Sequence, residues 1–152
     1  MARFIMIKNE RQYRITKTQA EKFASALSDA QSKEYTDPLL AELERNALKS
    51  QLDELSQQID EYEELQAGTR SVIDVDSFAE LPDALVKARI AAGLSQKNLA
   101  DRLELKEQQI QRYEATDYRT ASLARLQEIV QALGISVRGK VFLPNQRQME
   151  VV

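Results

Sequence analysis

The stretch LSQKNLADRLELKEQQIQRYE, residues 94–114, determines how this chain is expected to fold. Gly93 stands where a helix commonly ends in the left-handed conformation, and Ser95 carries a side chain that can N-cap the next helix. Ala100 is small enough for two helices to cross closely. The apolar positions expected to face the interior are Leu99, Leu103, Leu105 and Ile110. The stretch therefore predicts two short helices packed against each other across a tight turn.

The second of these helices has one apolar stripe and one long polar face. Gln108, Gln111 and Arg112 project away from Ile110. Glutamine pairs bidentately with adenine and arginine with guanine in the DNA major groove, and Glu107 is suited to accept from a cytosine amino group. A polar helix face commonly binds nothing, so the interpretation depends on the complete two-helix pattern. Within that pattern, these four polar residues are the predicted base-reading set.

Phosphate contacts are expected around this face, because helix N-termini and nearby cations bind anions. Gln96 is expected to be the first residue of its helix, with its amide pointing outward. The predicted phosphate contacts are Gln96, Lys97, Lys106, Tyr118, Arg119 and Ser122.

Residues 81–136 resemble the Cro/C1-type helix-turn-helix domain of phage repressors, the XRE family. The matching residues are Arg89, Gly93-Leu94-Ser95-Gln96, Leu99-Ala100, Gln108, Ile110, Glu114 and Leu133-Gly134-Ile135-Ser136. The resemblance implies a lambda-repressor-like domain of four to five helices that binds DNA, with a structural salt bridge between Arg89 and Glu114. The family usually has glycine in the turn where this chain has Glu104. Because the left-handed conformation costs a non-glycine residue about 1 kcal/mol, a slightly different turn is expected.

The composition excludes several classes of site. The chain has no cysteine and no histidine, which removes disulfides, thiolate chemistry, the usual zinc ligands and the usual general base. The acidic residues of the middle segment are strung along one helix rather than gathered in a pocket, which indicates a solvated or docking face. We therefore expect no enzyme, no catalytic residue, no metal and no cofactor.

No apolar run reaches the length of a membrane span, and the first residues are too polar for a signal peptide. The expected location is the bacterial cytoplasm, in association with the nucleoid, with no membrane partner.

Charge is distributed unevenly along the chain, whose net charge is −3. Residues 1–36 carry seven basic and four acidic groups, residues 37–76 three and eleven, and residues 77–152 eleven and nine. Phosphate contacts supply much of the affinity of proteins for DNA. The mildly basic last segment therefore predicts modest affinity per protomer, and hence a homodimer on a palindromic operator of double-stranded DNA.

Two helices are predicted before the DNA-binding segment. The sequence Thr-Lys-Thr-Gln at residues 16–19 has the pattern of a capping box and predicts a helix that ends near residue 28. Asp37 followed by Pro38 predicts a second helix that continues to about residue 67, with Gly68 as its stop.

Apolar residues of the second helix alternate at steps of four and three, which is the spacing of a coiled-coil seam. The predicted dimer or partner seam consists of Leu48, Leu52, Leu55, Ile59 and Tyr62. Packing within the chain and packing in a dimer both satisfy this spacing.

The predicted fold is mainly α-helical: an N-terminal helix and a long coiled-coil-like helix precede the helix-turn-helix domain. Ser77 and Thr120 are expected to cap helices of that domain, and short strands are expected over residues 2–7 and 135–143. The predicted regions are 1–68 for dimerisation or partner binding, 69–77 as a linker, 78–143 for DNA binding and 144–152 as a flexible tail.

Three functions are compatible with this organisation. The first is a sequence-specific transcriptional regulator, most simply a dimeric repressor of its own gene that reads the major groove with helix 107–114. The second is an antitoxin, because an acidic helix (LSQQIDEYE, residues 55–63) followed by a DNA-binding module resembles the HigA-type antitoxins. In that family the partner is a small basic ribonuclease toxin. The third is a coiled-coil adaptor, which the intact polar face of helix 107–114 disfavours.

Overall fold

A computed structural model describes residues 5–145, and the chain is mainly helical, as the sequence predicts. The α-helices within this range are α1 (Glu10–Ser32), α2 (Pro38–Gln66), α3 (Leu81–Ala91), α4 (Gln96–Arg102), α5 (Glu107–Ala115) and α6 (Leu123–Leu133). A short 3₁₀ helix, Phe78–Glu80, precedes α3.

Within the described range there is no strand, so the strand predicted over residues 135–143 is wrong. A strand needs a neighbouring strand to satisfy its backbone groups, and none lies beside this segment. Residues 5–7 are also not a strand, since Met6 and Ile7 pack among helices instead. Residues 2–4 of that prediction, and residues 146–152 of the predicted tail, lie outside the described residues.

Helix α1 begins well before the predicted capping box. Asn9 is its N-cap, and the Asn9 side chain accepts a hydrogen bond from the backbone N–H of Gln12 at 2.9 Å. Thr16 lies inside the helix, where its hydroxyl donates to the carbonyl of Gln12 at 2.8 Å. The capping-box prediction is wrong because Asn9 already supplies the cap, and the helix also continues past residue 28 to Ser32.

Helix α2 begins as predicted, with Asp37 accepting from the backbone N–H of Leu39 at 2.9 Å and Pro38 in the first turn. It returns alongside α1 as an antiparallel hairpin. Near one end of the hairpin the rings of Tyr13 and Tyr62 lie 5.0 Å apart. Towards the other end Arg45 donates from Nε to the carbonyl of Ala30 at 3.0 Å.

The predicted seam of α2 is covered in part within the same chain. Tyr62 is buried, and the other four seam residues are half-buried. Ile59 packs at the edge of the main core, as does Tyr13 of α1. The hairpin therefore uses this apolar stripe, at least in part, for intramolecular packing.

A single hydrophobic core joins the hairpin to the helices that follow. Leu65 of α2 is fully buried, and Glu61 forms an ion pair with Lys87 of α3 at 2.7 Å. Full burial of one Leu or Ile side chain contributes about 1.5–3 kcal/mol to folding, so these contacts hold the two parts together. The core includes Met6, Ile7, Tyr62, Leu65, Leu85, Ile90, Leu99, Ile110, Ile129 and Leu133.

Candidate nucleic-acid interface

Helix α4 begins with a reciprocal capping box. The Ser95 hydroxyl accepts from the backbone N–H of Asn98, and the Asn98 side chain accepts from the backbone N–H of Ser95, both at 3.0 Å. Gly93, with φ of 71°, ends α3 in the left-handed region. The cap and the glycine together set the direction in which α4 leaves α3.

The turn between α4 and α5 contains Glu104 with φ of 56°, in the left-handed region. The backbone N–H of Leu105 reaches back to the carbonyl of Ala100 at 2.9 Å and closes the turn. The chain therefore keeps a left-handed conformation in this turn although the residue is a glutamate rather than a glycine.

Helix α5 is divided cleanly between an exposed and a buried side. Ile110 is fully buried, and Tyr113 and Glu114 are buried beside it. The opposite face carries the four predicted base-reading residues, all of them exposed: Glu107, Gln108, Gln111 and Arg112. Within that face Gln111 donates to the carboxylate of Glu107 at 3.4 Å. The exposed groups supply both hydrogen-bond donors and acceptors, as base-edge recognition requires.

A buried polar network holds α5 in place. Arg89 of α3 bonds to both carboxylate oxygens of Glu114, from Nε at 2.6 Å and from a terminal nitrogen at 3.1 Å. The side chains are only 3% and 1% exposed. Arg89 also donates to the carbonyl of Leu94 at 2.8 Å, so one guanidinium links α3, α5 and the loop before α4.

Gln96 belongs to this network rather than to the outer surface. Its side chain is buried and donates from Nε2 to Glu114 at 2.6 Å. The expected outward orientation of the Gln96 amide is therefore wrong, because the amide donates to the buried carboxylate of Glu114.

The N-terminal segment completes the network, and no sequence pattern indicated this role. Lys8 donates from Nζ to the carbonyl of Glu114 at 2.6 Å, while the carbonyl of Lys8 accepts from Arg89. Among the described residues no buried side-chain nitrogen or oxygen lacks a partner.

The predicted phosphate contacts lie in different environments. Lys97 is exposed and pairs with Asp101 at 2.8 Å, and this hydrogen bond raises the pKa of Lys97. Lys106 and Arg119 are exposed. Ser122 is exposed, but its hydroxyl is already used to cap α6, accepting from the backbone N–H of Arg125 at 3.1 Å.

Two predicted helix caps are wrong. Ser122 rather than Thr120 caps α6, because residue 120 still belongs to the turn of residues 116–120 and the helix begins only at Leu123. Ser77 precedes the 3₁₀ helix but makes no side-chain capping bond.

Tyr118 does not lie at the surface, so its predicted phosphate contact is wrong. Its side chain is 4% exposed, and its ring stacks on that of Tyr113 at 5.7 Å between centroids. The backbone turns inward here, with positive φ at both Asp117 and Tyr118. Burial raises the pKa of the Tyr118 hydroxyl.

The described residues contain no acidic cluster that could hold a metal ion. No helix among residues 5–145 is both long and apolar enough to cross a membrane.

A family model described as helix-turn-helix matches residues 85–139, a little over a third of the chain. The matched segment contains α4, the turn at Glu104 and α5, together with Arg89 and Glu114. Neither a curated protein nor a solved structure matches the chain.

Proposed function

Because residues 85–139 form a helix-turn-helix domain of the Cro/C1 type, a DNA-binding class, we propose that this protein is a sequence-specific transcriptional regulator. In this proposal α5 enters the DNA major groove. The observation on which the proposal rests is the division of α5: its polar side is exposed, while its other side is held in the core by Ile110 and Glu114. A rigid helix presents its side chains to bases without first being ordered.

The exposed residues have distinct roles in this arrangement. Gln108 and Gln111 read adenine, Arg112 reads guanine and Glu107 accepts from cytosine. Phosphate contacts come from the exposed cations near α5, foremost Lys106 and Arg119, to which the described residues give no ion pair.

We further propose that two copies bind a palindromic operator and repress the gene that encodes the protein, in the bacterial cytoplasm. One short helix reads only a few base pairs, and the segment of residues 77–152 is only mildly basic. A second copy on the adjacent half-site raises both affinity and specificity.

Fluorescence anisotropy titrations with DNA from upstream of the gene test the proposal. A scrambled duplex serves as the control, and both duplexes are titrated at two salt concentrations. Gln108→Ala and Gln111→Ala are each expected to weaken binding to the operator by about 1–3 kcal/mol. Binding to the scrambled duplex is expected to change little. The matched control is Gln127→Ala with Gln131→Ala, which removes two exposed glutamines from α6. Base reading would be contradicted if the wild-type protein bound both duplexes equally. It would also be contradicted if the α5 and α6 double variants lost the same affinity for the operator.

A second function, as an antitoxin, is supported by a patch at the start of α2. Leu39, Leu40 and Leu43 are 63%, 57% and 58% exposed, and the acidic residues Glu42 and Glu44 lie beside them. Apolar surface flanked by acid suits a small basic protein such as a ribonuclease toxin.

Coexpression with a small basic protein encoded next to this gene tests the antitoxin role. Changing the three leucines of the patch to serine is expected to abolish protection from the toxin while operator binding persists. Protection that survives this triple change would contradict a role for the patch.

A further inference from the structure

An open groove of about 1530 Å³ separates the hairpin from the helix-turn-helix. One wall belongs to α1 and includes Arg11, Gln12 and Gln19. The facing wall includes Ser95 beside α4, together with Glu107 and Gln111 of α5. The groove therefore shares two of its lining residues with the exposed face of the recognition helix.

This shared boundary places α1 next to bound DNA. In helix-turn-helix docking the second helix lies in the major groove and the first helix crosses the sugar-phosphate backbone. Since Glu107 and Gln111 belong both to the reading face and to the groove, DNA seated on α5 also faces the groove. The backbone strand that borders the major groove then runs between α5 and α1.

Arg11, at the beginning of α1, is the cation of the groove that can meet that strand. Of the four basic residues in the range 8–17, only Lys8 and Arg11 line the groove. Lys8 is already bonded to Glu114, whereas Arg11 is exposed, lines the groove and forms no ion pair among the described residues. Glu10, Glu54 and Glu107 also line the groove, and their carboxylates would repel a phosphate, so a phosphate contact there depends on Arg11.

We infer that this groove receives one sugar-phosphate strand of the operator and that Arg11 donates to a phosphate outside the helix-turn-helix. The inference rests on the proposed DNA-binding function and adds an element from the N-terminal hairpin to it. Arg11 contributes affinity without reading sequence, because phosphate contacts position the protein and carry no base information.

Salt-dependent anisotropy with the full-length protein tests the inference. Arg11→Gln is expected to make the negative slope of log K (the association constant) against log salt about one unit shallower. The affinity is expected to fall about eightfold at 0.1 M salt, equally on operator and scrambled DNA. The matched control is Lys49→Gln, which removes one exposed charge of α2 that does not line the groove. Glu54→Gln is expected to strengthen binding. If Arg11→Gln and Lys49→Gln give the same titrations, the inference is overturned.

Cross-linking gives a second and independent measurement, because the chain has no cysteine. A photoactivatable group attached to the cysteine of Gln12→Cys is expected to cross-link to operator DNA. The same group on Asn46→Cys is not expected to do so, because this position lies about 24 Å farther along the hairpin at 1.5 Å per residue. No cross-link from Gln12→Cys to bound operator overturns the inference. The proposed function fails separately, if the wild-type protein does not distinguish operator from scrambled DNA.

Discussion

Lys8 donates a hydrogen bond from its ammonium group to the backbone carbonyl of Glu114, 106 positions later in the chain, at 2.6 Å. This carbonyl lies in the last turn of α5, where unpaired carbonyls and the helix dipole favour a cation. The carbonyl of Lys8 accepts in turn from Arg89. Lys8, just before α1, is thereby hydrogen-bonded to both Arg89 and Glu114, the two residues of the ion pair that holds α5.

Replacing Lys8 is expected to loosen this junction. Lys8→Met keeps the aliphatic stem but removes the charged donor, and a loss of about 2 kcal/mol in the free energy of unfolding is expected for a hydrogen bond of this kind. Urea denaturation followed by circular dichroism measures it. Lys22→Met changes an exposed lysine farther along α1 and serves as the control. Equal stability of the two variants would show that the Lys8 bond contributes nothing.

The buried pair of Arg89 and Glu114 is expected to be a major determinant of stability. Arg89→Met leaves Glu114 as an uncompensated buried charge, and the expected cost is about 3–5 kcal/mol. Thermal melting followed by circular dichroism measures the change. Lys97→Met, which breaks the exposed pair with Asp101, is expected to leave the melting temperature almost unchanged. A similar melting temperature for Arg89→Met and the wild-type protein would contradict this role.

The turn residue Glu104 offers a stabilising change. Its φ of 56° lies in the left-handed region, where glycine is not strained. Glu104→Gly is expected to raise the free energy of unfolding by up to about 1 kcal/mol, the relief of strain being partly offset by the flexibility of glycine in the unfolded chain. Gln131→Gly, on the exposed side of α6, is expected to destabilise by about 1 kcal/mol. Destabilisation by both glycines in urea titrations would contradict strain at Glu104.

Burial of Tyr118 predicts a loss of stability in alkali. Because its pKa is raised above the ordinary value of 10.0, folding favours the neutral phenol. This contribution is complete below pH 10 and is lost as the pH rises above 10 and the unfolded chain ionises. Urea midpoints at increasing pH are therefore expected to fall less steeply above pH 10 for Tyr118→Phe than for the wild-type protein. Parallel curves would contradict the effect.

Several features of the fold were predictable from local patterns. Gly93 and Ser95 mark the boundary between α3 and α4, and Asp37 with Pro38 marks the start of α2, because caps depend on residues within one turn. The exposed polar face of α5 follows from the spacing of Ile110 and its neighbours. The pair of Arg89 and Glu114 was expected only through the resemblance to a known family.

The incorrect expectations share a cause. Thr16, Thr120 and Ser77 have the right chemistry for caps, but the backbone turns at other residues. Residues 135–143 alternate as a strand does, yet no strand lies beside them. A local pattern shows what a residue is able to do, whereas the neighbours present in the fold decide whether it does so.

By itself the sequence determined the helical character of the chain, the caps of α2 and α4 and the polar face of α5, because these depend on side chains within one turn of each other. Only the tertiary structure decided that Gln96 and Tyr118 turn inward, that Lys8 reaches Glu114 and that the hairpin lines a groove beside α5. These features depend on contacts between residues far apart in the chain. Their energies arise from burial and from pairing of buried polar groups, which exist only once the elements have packed.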